Sequence, residues 1–204
     1  MDKTCYYISG GDSYMKKQLR NYMLTYLRNL NISKKQEIEN KMYENLFEQT
    51  FWQQAKIVGI TYATSLEWNT KVIIQRGWDE NKKVVLPVCN RKNKTMNFFQ
   101  INDFNELESG YANILEPSNH SNKVMMNEWI DLLIVPGVVF NVKGYRIGYG
   151  GGFFDRYLSE PIHKTTTVSL AAESQLKENL PTDSYDIPVD YIITENRCIQ
   201  TSNE

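Results

Sequence analysis

The sequence predicts a single α/β domain over residues 1–204, Rossmann-like, with three layers: a mostly parallel sheet, helices on both of its faces, and an N-terminal helical pair. Short β-branched segments alternate with helical ones from residue 56 onward, a pattern typical of a parallel sheet with crossover helices. The segment Asp131–Val135 is apolar on both faces, as in a central strand covered by helices. No shift in composition marks a second domain in a chain of 204 residues.

The first third of the chain predicts the helical pair. Apolar residues recur at spacings of three and four through Tyr14–Leu30, which favours an amphipathic helix. Asn31–Ser33 ends that helix. The run Ser33–Gln36 is a candidate capping box, from which a second helix is predicted to continue to about Gln54.

The remaining elements follow from shorter signals. Lys56–Tyr62 is predicted to be a strand, and Thr64–Glu67 is a second candidate capping box that opens a helix to about Arg76. Lys83–Leu86 is a strand that Pro87 should end, since proline cannot donate a ladder hydrogen bond. Further predictions are strands at Thr95–Ile101, Thr165–Leu170 and Val189–Thr194, a loop or short helix over 102–123, and a helix at Phe153–Leu158.

Composition excludes several classes of protein. The 23 basic and 24 acidic residues nearly balance, which argues against bulk binding to nucleic acid or to an anionic membrane. Three scattered cysteines and two histidines argue against a disulfide framework and a multi-histidine metal centre. Neither a signal peptide nor a membrane-spanning run is apparent, so we expect a cytoplasmic protein.

A glycine-rich segment between a predicted strand and a predicted helix is the main functional signal. In open α/β sheets ligands bind at the carboxyl ends of strands, and glycines there let backbone N–H groups approach phosphate oxygens. Arg146 adds a planar cation suited to phosphate, and Asp155 a carboxylate suited to Mg²⁺. The pattern predicts a nucleotide-phosphate site, although a turn without a ligand would also explain the glycines alone. These glycines are Gly144, Gly148, Gly150, Gly151 and Gly152.

The stretch Asp131–Leu158, DLLIVPGVVFNVKGYRIGYGGGFFDRYL, resembles the signature of the 5-formyltetrahydrofolate cyclo-ligase family. Further segments resemble the family in the same order over nearly the whole chain: Lys16–Arg20, Leu66–Thr70, Glu116–Pro117 and Leu180–Asp190. The resemblance implies ATP-dependent cyclisation of 5-formyltetrahydrofolate to 5,10-methenyltetrahydrofolate, with release of ADP and phosphate and with Mg²⁺ as cofactor. In this reaction the formyl oxygen is phosphorylated and N10 then attacks the activated carbon.

The resemblance also implies roles for individual residues. Lys16 and Arg146 would be catalytic, and Asp155 and Asp186 would bind the metal. The implied ATP contacts are Lys16, Lys17, Arg20, Arg146, Gly148, Tyr149, Gly150, Gly151, Gly152, Phe153 and Phe154. The implied folate contacts are Tyr62, Glu67, Tyr149, Gly150, Gly151, Gly152 and Phe153.

Structural alternatives exist for several of these residues. Lys16 and Arg20 share one helix face, which could be a solvated basic face. Glu67 could serve only as the third residue of the capping box, and Asp186 only as a turn former before a proline. Tyr62 could simply fill the core.

Two departures from the family pattern keep other functions open. Phe153 and Phe154 stand where the family commonly has two tyrosines, and Asn141 stands where it often has aspartate. The two phenylalanines alone favour the alternative, a non-catalytic folate- or nucleotide-binding relative. A sugar-phosphate enzyme on a similar scaffold is a third hypothesis, because a fold alone does not fix function. In each case we expect a monomer or weak homodimer with small-molecule ligands only.

Overall fold

A computed structural model describes residues 12–110, 114–118, 124–125, 129–160 and 165–201. Its helices are α1 (Asp12–Arg28), α2 (Ile32–Phe47), α3 (Thr50–Gln54), α4 (Lys71–Asp79) and α5 (Phe153–Ser159). Its strands are β1 (Ile57–Gly59), β2 (Lys83–Asn90), β3 (Thr95–Ile101), β4 (Leu107–Ser109), β5 (Leu115–Pro117), β6 (Val124–Met125), β7 (Leu132–Ile134), β8 (Val139–Phe140), β9 (Arg146–Ile147), β10 (Thr166–Leu170), β11 (Tyr191–Ile193) and β12 (Cys198–Gln200).

Eight strands form one sheet in the order β12-β11-β10-β7-β1-β2-β3-β6. The inner strands β11, β10, β7, β1 and β2 are parallel, and antiparallel strands flank them. β7 lies in the middle and is buried on both faces, as its apolar sequence predicted. The carboxyl ends of β1, β7 and β10 therefore meet at one edge of the sheet, where ligands bind in folds of this kind.

Helices cover both faces of this sheet, so the predicted three-layer α/β fold is confirmed. On one face α2 and α4 bury Met42 and Ile74 against the sheet. On the other face α5 buries Tyr157 against Phe98 of β3. Helix α1 packs through Met23 on the β8–β9 hairpin, which brings the N-terminal segment next to the glycine-rich loop. None of the helices in the described part of the chain is long and apolar enough to cross a membrane.

The helical pair forms, but the predicted boundaries of its second member were wrong. The N-cap is Asn31 rather than Ser33, since the Asn31 Oδ1 accepts hydrogen bonds from the backbone N–H groups of Ser33 (2.8 Å) and Lys34 (3.4 Å). The helix ends at Phe47, and α3 begins only at Thr50. The apolar periodicity continues across this break because both helices pack on the same core.

The predicted helix from Thr64 was also misplaced, since α4 begins at Lys71. Residues 64–67 form a turn in which the Glu67 carboxylate accepts from the Thr64 N–H at 2.7 Å. The Thr70 hydroxyl accepts from the Ala63 N–H and donates to the Thr61 carbonyl. These side-chain bonds take up backbone groups of the segment in a non-helical conformation.

Contrary to the prediction, Pro87 does not end β2. An N–H at this position would point to the side of β1, where β2 no longer has a strand to bond to, so the lack of an N–H costs nothing. The Lys83 N–H donates to the Lys56 carbonyl and the Val85 carbonyl accepts from the Ile60 N–H, on either side of β1, so Pro87, two residues further on, faces the same side. β1 has ended there, and β2 continues with β3 alone. The short strands β4, β5, β6, β8, β9 and β12 were not predicted, and β4 and β5 occupy part of the predicted 102–123 loop.

Candidate active site

The glycine-rich loop joins β9 to α5 at the sheet edge where the parallel strands end. Gly150 has φ +100° and Gly152 has φ +62°, conformations that residues with a side chain rarely adopt. Among the described residues, no heavy atom other than those of its chain neighbours lies within 4 Å of the position that a Cβ of Gly148 would occupy, so its surroundings there are open. The loop therefore presents exposed backbone that a ligand can approach closely.

Arg20 of α1 lies directly against this loop. Its Nε donates to the Gly148 carbonyl at 2.5 Å, and its guanidinium lies 3.8 Å from the position of a Cβ at Gly150. Burial lowers the pKa of Arg20, which nevertheless stays charged because its ordinary value is so high. Arg20 is thus half-buried against the loop rather than on a solvated helix face.

Lys16, one turn earlier, is held between two carboxylates. Its Nζ lies 2.7 Å from Asp183 Oδ2 and 2.5 Å from Asp186 Oδ2. Burial alone would lower the pKa of Lys16, but the hydrogen bonds to the two aspartates outweigh it and raise the pKa. Lys17 is exposed on the neighbouring face of α1. The structure therefore brings Lys16 and Asp186 together across 170 residues of sequence.

Arg146 is buried behind the loop, with only 3% of its side chain exposed. One terminal nitrogen donates to Asp155 Oδ1 at 2.9 Å and the other donates to the Ile187 carbonyl at 2.6 Å. Burial lowers the pKa of Arg146, and the carboxylates of Asp155 and Asp186 oppose this effect. Arg146 thus connects α5 to the segment that carries Asp186, and both predicted metal ligands lie near its charge.

The two aspartates have the chemistry of a magnesium site that is completed by substrate phosphates. Within the described ranges no cluster of three or more His, Cys, Asp or Glu side chains could hold a metal alone. The bonds of Asp155 converge on Oδ1 and those of Asp186 on Oδ2, so the other oxygen of each has no hydrogen-bond partner among the described residues. Mg²⁺ is commonly bound by one or two carboxylates together with nucleotide phosphates, and this donor set fits that pattern.

A shallow, solvent-open cleft lies beside the loop. The ends of β1, β7 and β10 form its floor, and Glu67 and Tyr149 line its wall. Tyr149 is 47% exposed, but its hydroxyl end lies against the side chains of Thr64 and Glu67. Burial of this hydroxyl raises the pKa of Tyr149, and the Glu67 carboxylate raises it further. Glu67 therefore caps the local turn and also faces the cleft.

Three predicted aromatic contacts lie at the margins of this arrangement. Phe153 and Phe154 are partly buried and pack on the core beneath α5, and the guanidinium of Arg156 lies 5.4 Å from the centre of the Phe153 ring. Tyr62 packs edge-on against Phe104 at 6.0 Å and does not line the cleft. The structure places Tyr62 with the main core cluster.

Three residues of the site were missed by the sequence analysis. Asp183 shares the Lys16 ammonium with Asp186. The only signal for Asp183 in the sequence was that its carboxylate lies three residues before Asp186 in a loop. Gln175 lines the cleft but is itself almost fully buried. Its side chain accepts from the Trp68 indole N–H at 2.8 Å and donates to the Val138 carbonyl. No motif singles out Gln175 or Trp68, because their contact joins residues 107 positions apart.

Asn141, the departure from the family pattern, has a structural role in the β8–β9 hairpin. Its Oδ1 accepts from the backbone N–H groups of Lys143 (3.1 Å) and Tyr145 (3.0 Å). A carboxylate oxygen could accept the same two bonds, so asparagine preserves the turn.

Comparison with known proteins shows which family the chain belongs to. The model of the 5-formyltetrahydrofolate cyclo-ligase family matches residues 12–195. The chain is 34% identical to the 5-formyltetrahydrofolate cyclo-ligase of Haemophilus influenzae over 85% of this chain and 94% of that one. It is 33% identical to the Escherichia coli K12 enzyme of the same name over 70% and 80% of the two chains. The solved structure of Aquifex aeolicus 5,10-methenyltetrahydrofolate synthetase superposes with a TM-score of 0.80 at 27% identity, covering 93% of this chain and 94% of that one. The chain belongs to the 5-formyltetrahydrofolate cyclo-ligase family.

Proposed function

We propose that this protein catalyses the ATP-dependent cyclisation of 5-formyltetrahydrofolate to 5,10-methenyltetrahydrofolate, with release of ADP and phosphate. The observation that carries the proposal is the junction of a basic helix face, an open glycine loop and a cleft at one sheet edge. Membership of the family supplies the substrate class. The proposal also treats residues 1–204 as a single domain of this family.

The phosphates of ATP would lie on the glycine-rich loop, between the loop backbone and the two cations of α1. Arg20 already touches the loop, and the open surroundings of Gly148 leave room for a phosphate to approach. Lys16 would reach the phosphates by exchanging its bond to Asp186. We further propose that Arg146, whose terminal nitrogens are both engaged, acts mainly by holding Asp155 in place.

Mg²⁺ would be held by Asp155 and Asp186 and would supply charge neutralisation to the phosphate chain. Either carboxylate would use the oxygen that does not bond to Arg146 or Lys16. Binding the cation next to Asp186 would also weaken the hold of that carboxylate on Lys16, because two cations then compete for one anion.

The folate would occupy the cleft, with its pterin against Glu67 and Tyr149. A carboxylate is a suitable acceptor for the N–H groups of a pterin, and Glu67 is already fixed in orientation by the Thr64 N–H. Tyr149 connects the halves of the site, because it belongs to the glycine loop and also contacts Glu67.

The chemistry then depends mostly on position and charge. A formyl amide oxygen is a poor leaving group, so transfer of the γ-phosphoryl group to this oxygen activates the formyl carbon. The N10 amine of the same molecule then attacks that carbon and phosphate departs. The protein holds both reactants in line and offsets the negative charge that spreads over the transferred group.

The direct test is to mix purified protein with 5-formyltetrahydrofolate and MgATP and to follow the near-ultraviolet absorbance of the methenyl product. We expect a rise that needs both ATP and Mg²⁺. No change in absorbance, together with tight folate binding by calorimetry, would instead support the non-catalytic relative. Phe153 and Phe154, which differ from the family pattern, are the reason for considering that alternative.

The same proposal includes a monomer or weak homodimer located in the cytoplasm, without nucleic-acid or membrane partners. The near-neutral charge and the free thiols of Cys89 and Cys198 support this location and partner set. Sedimentation of the purified protein would test the oligomeric state.

A further inference from the structure

Three polar residues of α2 hold the backbone of the segment that carries Glu67. Lys35, Glu39 and Tyr43 are spaced by four residues, so they share one helix face. The Lys35 Nζ donates to the carbonyls of Glu67 (2.7 Å) and Ser65 (3.2 Å). The other two residues hold Asn69, since Glu39 Oε1 accepts from its N–H at 2.9 Å and the Tyr43 hydroxyl donates to its carbonyl at 2.5 Å.

This face does more than pack α2 against the core. Apolar residues of the same helix, Met42 and Leu46, are fully buried and supply that packing. Glu39 and Tyr43 are nonetheless only 8% and 6% exposed, a position where a polar group is costly unless it is hydrogen-bonded. Their bonds go to a non-helical segment that no strand of the sheet pairs with.

The segment held in this way is one wall of the cleft. Leu66, Glu67 and Trp68 all line it, and the Lys35 ammonium also lies 5.9 Å from the centre of the Trp68 ring. The indole N–H of Trp68 donates to the side-chain oxygen of Gln175. The carbonyls that Lys35 binds are those of Glu67 itself and of its neighbour two residues away. Moving Lys35 would therefore move the Glu67 carboxylate relative to the cleft.

We propose that Lys35, Glu39 and Tyr43 are positioning residues for the folate half of the site. They fix the position and the orientation of the Glu67 side chain in the cleft. This inference rests on the proposed function, in which Glu67 contacts the pterin. Misplacing a binding group by about 1 Å can reduce catalysis on the order of 10²-fold, so partial release of the segment should be visible in substrate binding.

The test replaces Lys35 by Met, with Lys35→Arg as the conservative variant that can rescue. Lys34→Met is the matched control, because Lys34 pairs with Glu37 on the exposed side of the same helix. Tyr43→Phe removes one hydroxyl and keeps the ring, so it reports on the same segment without a change of charge. For each variant KM and kcat are measured with 5-formyltetrahydrofolate and ATP, and amide hydrogen exchange is measured over residues 63–70 without ligand.

We expect Lys35→Met to raise the KM for 5-formyltetrahydrofolate by about tenfold, to leave the KM for ATP within about twofold, and to speed exchange over residues 63–70. Lys35→Arg should restore most of the folate KM, and Lys34→Met should match the parent protein. Faster exchange with an unchanged folate KM would overturn the positioning role while the proposed function stands. Equal rises in the KM for both substrates would also overturn it, because the effect would then not be confined to the folate half of the site. A parent protein that neither binds nor converts 5-formyltetrahydrofolate would overturn the proposed function, and this inference with it.

Discussion

Asp155 has two tasks at a single side chain. Its Oδ1 accepts from the buried Arg146 guanidinium, and its other oxygen is the one proposed to bind Mg²⁺. Because the first task needs an acceptor and the second needs a negative charge, substitution by the isosteric amide separates them.

We therefore predict that Asp155→Asn folds but turns over 5-formyltetrahydrofolate on the order of 10²–10³-fold more slowly, since an amide still accepts from Arg146 and binds Mg²⁺ poorly. Steady-state kinetics with saturating MgATP measure the loss, and circular dichroism with thermal melting shows that the fold persists. Turnover close to that of the parent protein would remove Asp155 from the metal role.

Single residues were predictable from the sequence where a motif carried them, and not otherwise. Lys16 and Arg20 could be placed on one helix face from their spacing of four. Asp183, which shares Lys16 with Asp186, could not be predicted, because its contact with Lys16 joins residues 167 positions apart and leaves no periodic trace. The same reason hid Gln175, whose role depends on being buried beside Trp68.

At the scale of elements, local capping signals were the least reliable guide. Ser33 and Thr64 both begin sequences that fit a capping box, yet Asn31 caps α2 and the Thr64 segment stays a turn. In the second case half of the box does form, since Glu67 reaches back to the Thr64 N–H. The buried Trp68 and the hydroxyl of Thr70 then direct the chain away from a helix until Lys71.

The cap assignment can be tested by paired substitutions. Asn31→Ala should lower the free energy of unfolding by about 0.5–2 kcal/mol, because two backbone N–H groups lose their acceptor. Ser33→Ala should change it far less, since Ser33 lies inside the helix. Urea unfolding of both variants gives the comparison. A larger effect at Ser33 than at Asn31 would restore the cap that the sequence suggested.

The glycine-rich loop allows a test that separates binding from folding. A methyl group at Gly148 would meet no heavy atom within 4 Å in the part of the chain that the structure describes, so Gly148→Ala should leave the melting temperature nearly unchanged. If phosphates approach the backbone there, the methyl group would obstruct them, and we expect the dissociation constant for MgATP to rise about tenfold, which is about 1.4 kcal/mol. Calorimetry checks this value. Gly152→Ala is the contrasting variant, because φ +62° at Gly152 should make it destabilising even without ATP.

At the scale of the whole molecule, the position of the site followed from topology. Alternation of strands and helices predicted a parallel sheet, and a parallel sheet places its ligand at the carboxyl ends of the strands. The cleft lies there, at the ends of β1, β7 and β10. The outermost strands β6 and β12 and the β8–β9 hairpin were not predictable in this way, since two- and three-residue strands carry too little pattern.

Because α1 and the Glu67 segment reach the cleft from different parts of the chain, their ligands should separate in a crossed experiment. A ligand at 100 times its dissociation constant stabilises the folded state by about 2.7 kcal/mol, which raises the melting temperature by about 5–10 °C in a chain of this size. Glu67→Gln should lose most of the shift given by 5-formyltetrahydrofolate and keep that given by MgATP, because the amide still accepts from the Thr64 N–H. Lys16→Met should do the reverse, since it removes a charge from the α1 side only.

Each variant is compared with its own ligand-free melting temperature, which corrects for any loss of intrinsic stability. If both variants lost both shifts to the same extent, the cleft and the loop would have to be a single binding site, and the division into a folate half and an ATP half would be wrong.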